Sequence, residues 1–414
     1  MAHQRPQLPT PRPGPRFTPA VATEPMIKGE YFASCPKGFE DVLCAELIAL
    51  GASDVKQGFS GAWFSGGNAA LYKACLGLRS ASRVLKPLRE FAARHPMMVY
   101  DQIKRMKWEH WITPESTIKI DCVSFNSTNV DHTHYMELRA KDAICDRFRE
   151  NCNGLRPSVD RERPDLLIHL FINNNRCLLS IDAAGVALHR RGYRTQAGEA
   201  PLRENLAAAL LLRSGYDGTK PLYDPFCGSG TFLIEAAMIA TNRAPNIEGR
   251  GFSFQLWPEY DEALFQQVRQ ELQAREHAAP ESIVGSDVDA AMAAMAKRNA
   301  VRAGVAPSVR VETADFRDEE AWSEMGHGIT TGTVVTNPPY GERLLEGEAE
   351  ELYKLFGDVL KKRFTGWDAW ILSGSDEGLK KVGLRHSKRM PTTNGGIPCR
   401  FVKYELYVGS KKTS

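Results

Sequence analysis

No apolar run in the 414 residues approaches the ~20 needed to span a bilayer. The N-terminus lacks the apolar core of a secretory signal, so export is not expected. None of the nine cysteines belongs to a Cys-x-x-Cys pair. Scattered single thiols argue against a zinc site and a disulfide framework, and fit a reducing cytoplasm. A strong charge imbalance is missing too: 53 Lys and Arg stand against 50 Asp and Glu. A net charge of +3 does not by itself select a nucleic-acid partner. Nor is there an internal repeat. What remains is an ordinary globular composition, 43% hydrophobic and 25% charged, on a chain long enough for two or three domains.

The style of the chain changes along its length. Residues 1–26 are rich in Pro, with Arg5, Arg12 and Arg16 among them, and read as a disordered extension. A strand at 31–34, a helix entered through Pro36 and stopped at Gly51, a strand at 62–64, a helix over 69–78 and an extended piece at 84–91 suggest a ferredoxin-like α+β unit over 27–90. A second α+β module, with an overlapping boundary, covers 70–185. It holds a helix at 97–112, a strand at 118–125, a helix at 135–148, and two strands joined at Asn173-Asn174-Asn175. From 190 to 414 strands alternate with helices. That order predicts an α/β fold with a doubly wound, mainly parallel sheet and right-handed crossovers. A last strand at 401–408 is expected to join it as a hairpin partner.

Chemistry concentrates in this last region. Asp224-Pro225-Phe226-Cys227-Gly228-Ser229-Gly230-Thr231 runs from a strand end into a helix. Glycines there allow a tight turn and close approach of a ligand to the backbone. The Lys-Ser/Thr pair of a phosphate loop is absent, and Asp224 would repel a pyrophosphate while suiting the ammonium of a methionine moiety. Asp287 ends the next strand and suits ribose hydroxyls. Asp315 follows the third and suits an adenine amino group, with Phe316 to stack on the ring. Phe226, Gly228 and Gly230 complete the expected cofactor site. Its spacing requires an insertion at about 243–280, and Asp289 reads as a helix N-cap.

Asn337-Pro338-Pro339-Tyr340 follows a fourth, apolar strand. The prolines stiffen the loop. The amide oxygen of Asn337 and the Pro338 carbonyl suit two hydrogen bonds from one NH2 group, with Tyr340 against a planar substrate. Asn337 thus serves both the catalytic loop and the cofactor side. The pattern indicates methyl transfer from S-adenosylmethionine to an amino or amide nitrogen. Adenine N6, cytosine N4, guanine N2 and a glutamine side chain all remain open on these residues alone.

Basic residues suggest where a nucleic acid would lie. No Asp or Glu occurs between 380 and 403, a segment carrying Lys380, Lys381, Arg385, Lys388 and Arg389. Arg190, Arg191 and Arg194 form a second cluster. The arginines from 139 to 163 alternate with acids, and read equally as an RNA face or a solvated face. His132 and His134 are assigned to the surface, and no metal is expected.

The run Arg190-Arg191-Gly192-Tyr193-Arg194, then Ala200-Pro201-Leu202-Arg203-Glu204, the glycine loop, and Asn337-Pro338-Pro339-Tyr340-Gly341-Glu342-Arg343 resembles THUMP-containing RNA guanine-N2 methyltransferases. Within them it is most similar to the bacterial large-subunit ribosomal RNA methyltransferase L group. The insertion with Arg243-Ala244-Pro245 and Gly251-Phe252 also matches. The resemblance implies ferredoxin-like and THUMP modules ahead of a Rossmann-like methyltransferase. It implies 23S rRNA, or a large-subunit assembly intermediate, as partner, and guanine N2 in helix 74 as target. Some members carry a second methyltransferase. This chain ends after one, so a guanine-N7 activity is not expected. Nothing points to a membrane or an obligate protein partner.

Overall fold

The computed structural model describes residues 26–194, 202–248, 251–319, 330–340 and 348–407. The proline-rich extension, Ala200-Pro201, Gly341-Glu342-Arg343 and the end of the last expected strand lie outside them.

Two mixed sheets organise the molecule. The first is built from β1 (Tyr31–Ser34), β2 (Ser53–Gly58), β3 (Gly61–Ser65), β4 (Arg83–Ala92), β5 (Thr117–Phe125), β6 (Ser158–Val159), β7 (Leu166–Asn173) and β8 (Arg176–Asp182), in the order β2-β3-β1-β4-β8-β7-β5-β6. The two expected N-terminal modules therefore share one sheet, because β4 pairs antiparallel with β8. Leu166, Ile168, Leu170 and Ile172 of β7 are buried with period two, and Leu167 on the opposite face is buried as well. Asn174 and Asn175 both take positive φ, the two-residue turn that matches the twist of hairpin strands. The helix expected over 97–112 stops early. It spans Pro96–Lys104, and a short 3-10 turn covers Trp108–His110. The buried indole of Trp108 donates to the Ile103 carbonyl at 2.8 Å, satisfying a helix-end acceptor and turning the chain.

The second sheet contains β9 (Leu222–Asp224), β10 (Ile283–Asp287), β11 (Val309–Thr313), β12 (Thr333–Thr336), β13 (Asp368–Ser373), β14 (His386–Asn394) and β15 (Ile397–Glu405), in the order β11-β10-β9-β12-β13-β15-β14. The first five are parallel, and β15 returns antiparallel along β13. Strand order reverses between β10 and β12, on either side of β9. In open α/β sheets that crevice, at the carboxyl ends of the strands, is where ligands bind. The helix leaving β9 (Thr231–Ala240) has nine of its ten residues buried. Apart from Thr231 and Glu235 it is apolar all round, as expected for a helix enclosed on most sides.

The insertion between that helix and β10 packs against the first half of the chain. Tyr72 stacks on Phe254 at 4.8 Å and meets Phe265 edge-on at 5.5 Å. Lys73 pairs with Glu271 at 2.9 Å. The long crossover thus fastens the two sheets together.

Candidate active site and its relatives

The carboxyl ends of β9, β10 and β12 bring the expected residues to one edge. Asp224 is only 2% exposed. Its Oδ1 accepts from Thr336 Oγ1 at 2.6 Å and from the Phe226 backbone N–H at 3.2 Å. Burial, with a smaller push from Asp287, raises its pKa to about 7. Thr336 immediately precedes Asn337, so one hydrogen bond joins Asp224 to the strand that carries the Asn-Pro-Pro loop. Sequence reasoning passed over Thr336; its place just before Asn337, on a strand parallel to β9, was the available signal.

The glycine loop is fixed from several sides. Gly228 and Gly230 have φ of +52° and +83°, which L side chains rarely adopt. A Cβ on Gly230 would come 2.9 Å from the Ala296 Cβ. The Gly228 N–H donates to Asp287 Oδ2 at 2.9 Å, and Asn299 Nδ2 donates to the Ser229 carbonyl at 3.0 Å. Asp287 also accepts from the Asp289 N–H at 3.0 Å. A carboxylate offers about four acceptor positions, so Asp287 retains capacity for a ligand's hydroxyls. Asp289 caps the helix Ala290–Arg302 through the Ala291 N–H, as its position predicted.

The third expected pair departs from its reading. Phe316 is 8% exposed and packed against Phe226 at 5.0 Å and Phe356 at 5.6 Å. It is a wall of the core, not an open stacking surface. Arg317 folds back on Asp315 with its guanidinium, and that contact holds the Asp315 carboxyl below its ordinary range.

Asn337 sits at the end of β12, half-buried. Its Oδ1 is buried and has no hydrogen-bond partner among the described residues. A buried unpaired acceptor costs about 1–3 kcal/mol, so this oxygen has its acceptor capacity open to a donor from a ligand or from solvent. Tyr340 lies against Gly374, with its hydroxyl 3.5 Å from Cys399 Sγ. One edge of the ring is therefore held by the β13 and β15 ends.

The basic residues divide. Arg191 and Arg194 do not form an RNA-facing cluster. The Arg191 side chain is fully buried, paired with Glu235 at 3.1 Å. Arg194 is bonded to Thr231 Oγ1 and the Leu202 carbonyl. Only Arg190 of the three is exposed. The C-terminal cations occupy a short helix (Asp376–Lys381), the turn after it, which holds Arg385, and β14, whose sequence does not announce a strand. Acids outside the 380–403 segment meet several of them: Glu377 and Asp376 of the short helix meet Lys380 and Arg389, and Glu350 meets Lys381. Arg385 and Lys388 are exposed.

A parallel sheet with a glycine loop, acids at successive strand ends and a proline-stiffened Asn loop defines a Rossmann-like methyltransferase. A family model for the RMKL-like methyltransferase domain matches residues 191–403, and the chain belongs to that family. A THUMP domain model matches 98–182, and an RlmL ferredoxin-like domain model matches 30–85. Membership agrees with S-adenosylmethionine as the cofactor expected from the sequence.

A Synechocystis protein provisionally named RNA methyltransferase slr0064 is 41% identical over 91% of this chain and 97% of its own length. The ribosomal RNA large subunit methyltransferase K/L of Syntrophotalea carbinolica is 38% identical over 91% of this chain. The chain spans about half the length of that relative, 53%. Among solved structures, SMU.472 in complex with SAH superposes with a TM-score of 0.79, at 29% identity over 92% of this chain and 98% of that one. Among the described residues no helix is long and apolar enough to cross a membrane, and no cluster of His, Cys, Asp or Glu could hold a metal ion.

Proposed function

We propose that the chain methylates the exocyclic N2 of a guanine in 23S rRNA, in the helix 74 region, during large-subunit assembly. The observation that carries transfer to an amino nitrogen is the buried, unpartnered Oδ1 of Asn337 at the switch point of the sheet. The rRNA assignment is supported by the THUMP match and by the names of the K/L relatives. The choice of guanine N2 rests on the sequence resemblance.

The residues present fit S-adenosylmethionine. Gly228 and Gly230 form a side-chain-free cradle, Asp287 has acceptor capacity beside it, and Asp224 supplies buried negative charge. When bound, this cofactor supplies an electrophilic methyl group on a sulfonium. Asn337 Oδ1 and the Pro338 carbonyl accept the two N–H bonds of the target amine. That keeps the nitrogen lone pair out of ring conjugation and stabilises the positive charge it acquires. A C–N bond forms as the C–S bond breaks, and the surplus proton leaves the nitrogen for water. The base must leave its stack to reach this edge, at a cost of a few kcal/mol, which favours an assembly intermediate over a mature duplex. Arg385, Lys388 and Arg190 are exposed cations of the expected RNA set that make no ion pair among the described residues, and we assign phosphate contact to them first.

Mass mapping of modified nucleosides in 23S rRNA, from cells with and without the gene, tests the assignment. Loss of one N2-methylguanosine, restored by the wild-type gene, is expected. Loss of an N6-methyladenosine would transfer the same loop to adenine. An unchanged rRNA profile would contradict an rRNA substrate and reopen a protein glutamine.

A further inference from the structure

The helix that leaves the glycine loop, Thr231–Ala240, begins without a side-chain cap. Something else must hold its first turn. Arg194 Nη2 donates to Thr231 Oγ1 at 2.7 Å and to the Leu202 carbonyl at 3.0 Å. Its Nη1 lies 3.9 Å from Glu204, and the side chain is 11% exposed. One turn further, fully buried Glu235 receives Arg191 Nε at 3.3 Å, Arg191 Nη2 at 3.1 Å and the Tyr193 hydroxyl at 3.2 Å. Residues i and i+4 share a helix face. The segment 191–194 therefore grips one face of this helix twice, at its first residue and at its centre. Thr231 directly follows Gly230, whose left-handed conformation and contact with Ala296 leave little room to shift.

We propose that Arg194 is a positioning residue for methyl transfer. Through Thr231 it fixes the start of the helix, and with it the Gly228–Gly230 loop, in the shape that receives the cofactor. It does this from inside the protein and makes no contact with RNA. The inference rests on the cofactor reading of that loop.

Calorimetric titration with S-adenosylhomocysteine, on wild type, Arg194→Met, Thr231→Val and the double variant, tests it. Each single substitution is expected to weaken binding about tenfold, the scale of removing one charge-assisted hydrogen bond. The double variant should bind no more weakly than Arg194→Met alone, because without Arg194 the Thr231 hydroxyl has no such bond left to lose. Thr231→Ser, which keeps the hydroxyl, should restore wild-type affinity, and RNA affinity should stay unchanged throughout. If Arg194→Met fails to fold, the Thr231→Val and Thr231→Ser pair carries the test alone. Unchanged cofactor affinity in folded variants, additive losses in the double variant, or a loss confined to RNA affinity would each overturn the proposal. A wild-type protein unable to bind S-adenosylhomocysteine would overturn the cofactor reading beneath it, and this inference with it.

Discussion

The arginine run at 190–194 and the cation-rich segment at 380–403 look alike as sequence, yet Arg191 and Arg194 of the first are enclosed whereas the cations from 380 to 389 in the second lie on the surface. Arg191 is enclosed and matched by Glu235, and it also donates to the Arg79 carbonyl of the first half of the chain at 2.6 Å. Arg385 and Lys388 stand exposed by the outer strand of the second sheet. The outer edge of β14 has no strand partner in that sheet among the described residues, and charged side chains on such an edge discourage another chain from pairing there. Linear charge density does not distinguish a junction from a surface. The deciding residue, Glu235, lies 44 positions from Arg191 in an otherwise apolar helix.

The contrast can be broken by substitution. Arg191→Ala should leave the Glu235 carboxylate buried without its cation, destabilising the fold by about 3–5 kcal/mol. Thermal melting measures it; a variant as stable as wild type would mean that Arg191 is not structural. A smaller effect is expected at Asp224, a buried acid whose pKa is set by burial, two hydrogen bonds and the neighbouring Asp287. An acid whose pKa is raised on folding stabilises the folded state at low pH and loses that contribution as pH rises from 3.8 to about 7. Asp224→Asn should therefore melt higher than wild type at pH 8, with the difference vanishing near pH 4. Cofactor affinity of the wild type should fall below pH 7 as the carboxylate protonates, and a flat titration would remove Asp224 from the ligand site. Arg385→Ala and Lys388→Ala should leave melting untouched. Each substitution that removes a phosphate partner should lower the slope of log RNA affinity against log salt by about 0.7–0.9. Equal slopes would return both cations to the solvated surface.

Much of the fold was legible where local chemistry decides it. Gly215 closes the helix Glu204–Ser214 in the left-handed conformation, and Asn174-Asn175 turns the β7–β8 hairpin. The alternation from β9 to β13 announced a parallel sheet. Three features were hidden because remote partners set them. β2 is polar and irregular, with Asp54 at φ +50° and a register shift after Ser53, so it has little strand signature of its own. β14 was obscured by the charges on its exposed face. The union of two modules into one sheet depends on β4 meeting β8, about ninety residues on. At the candidate site the strand-end acids were readable from spacing. The enclosure of Phe316 by Phe226 and Phe356, and the bond from Thr336 to Asp224, needed three-dimensional neighbours.

In the proposed reaction Asn337 holds the target amine while other residues hold the cofactor. Single-turnover methyl transfer by Asn337→Ala, to rRNA from cells lacking the gene, tests it most directly when paired with S-adenosylhomocysteine titration. Transfer is expected to fall by roughly 10²–10³, the usual cost of removing one hydrogen-bond partner of a transition state, while cofactor affinity stays near wild type. Transfer at the wild-type rate, or a fall explained wholly by weaker cofactor binding, would contradict it.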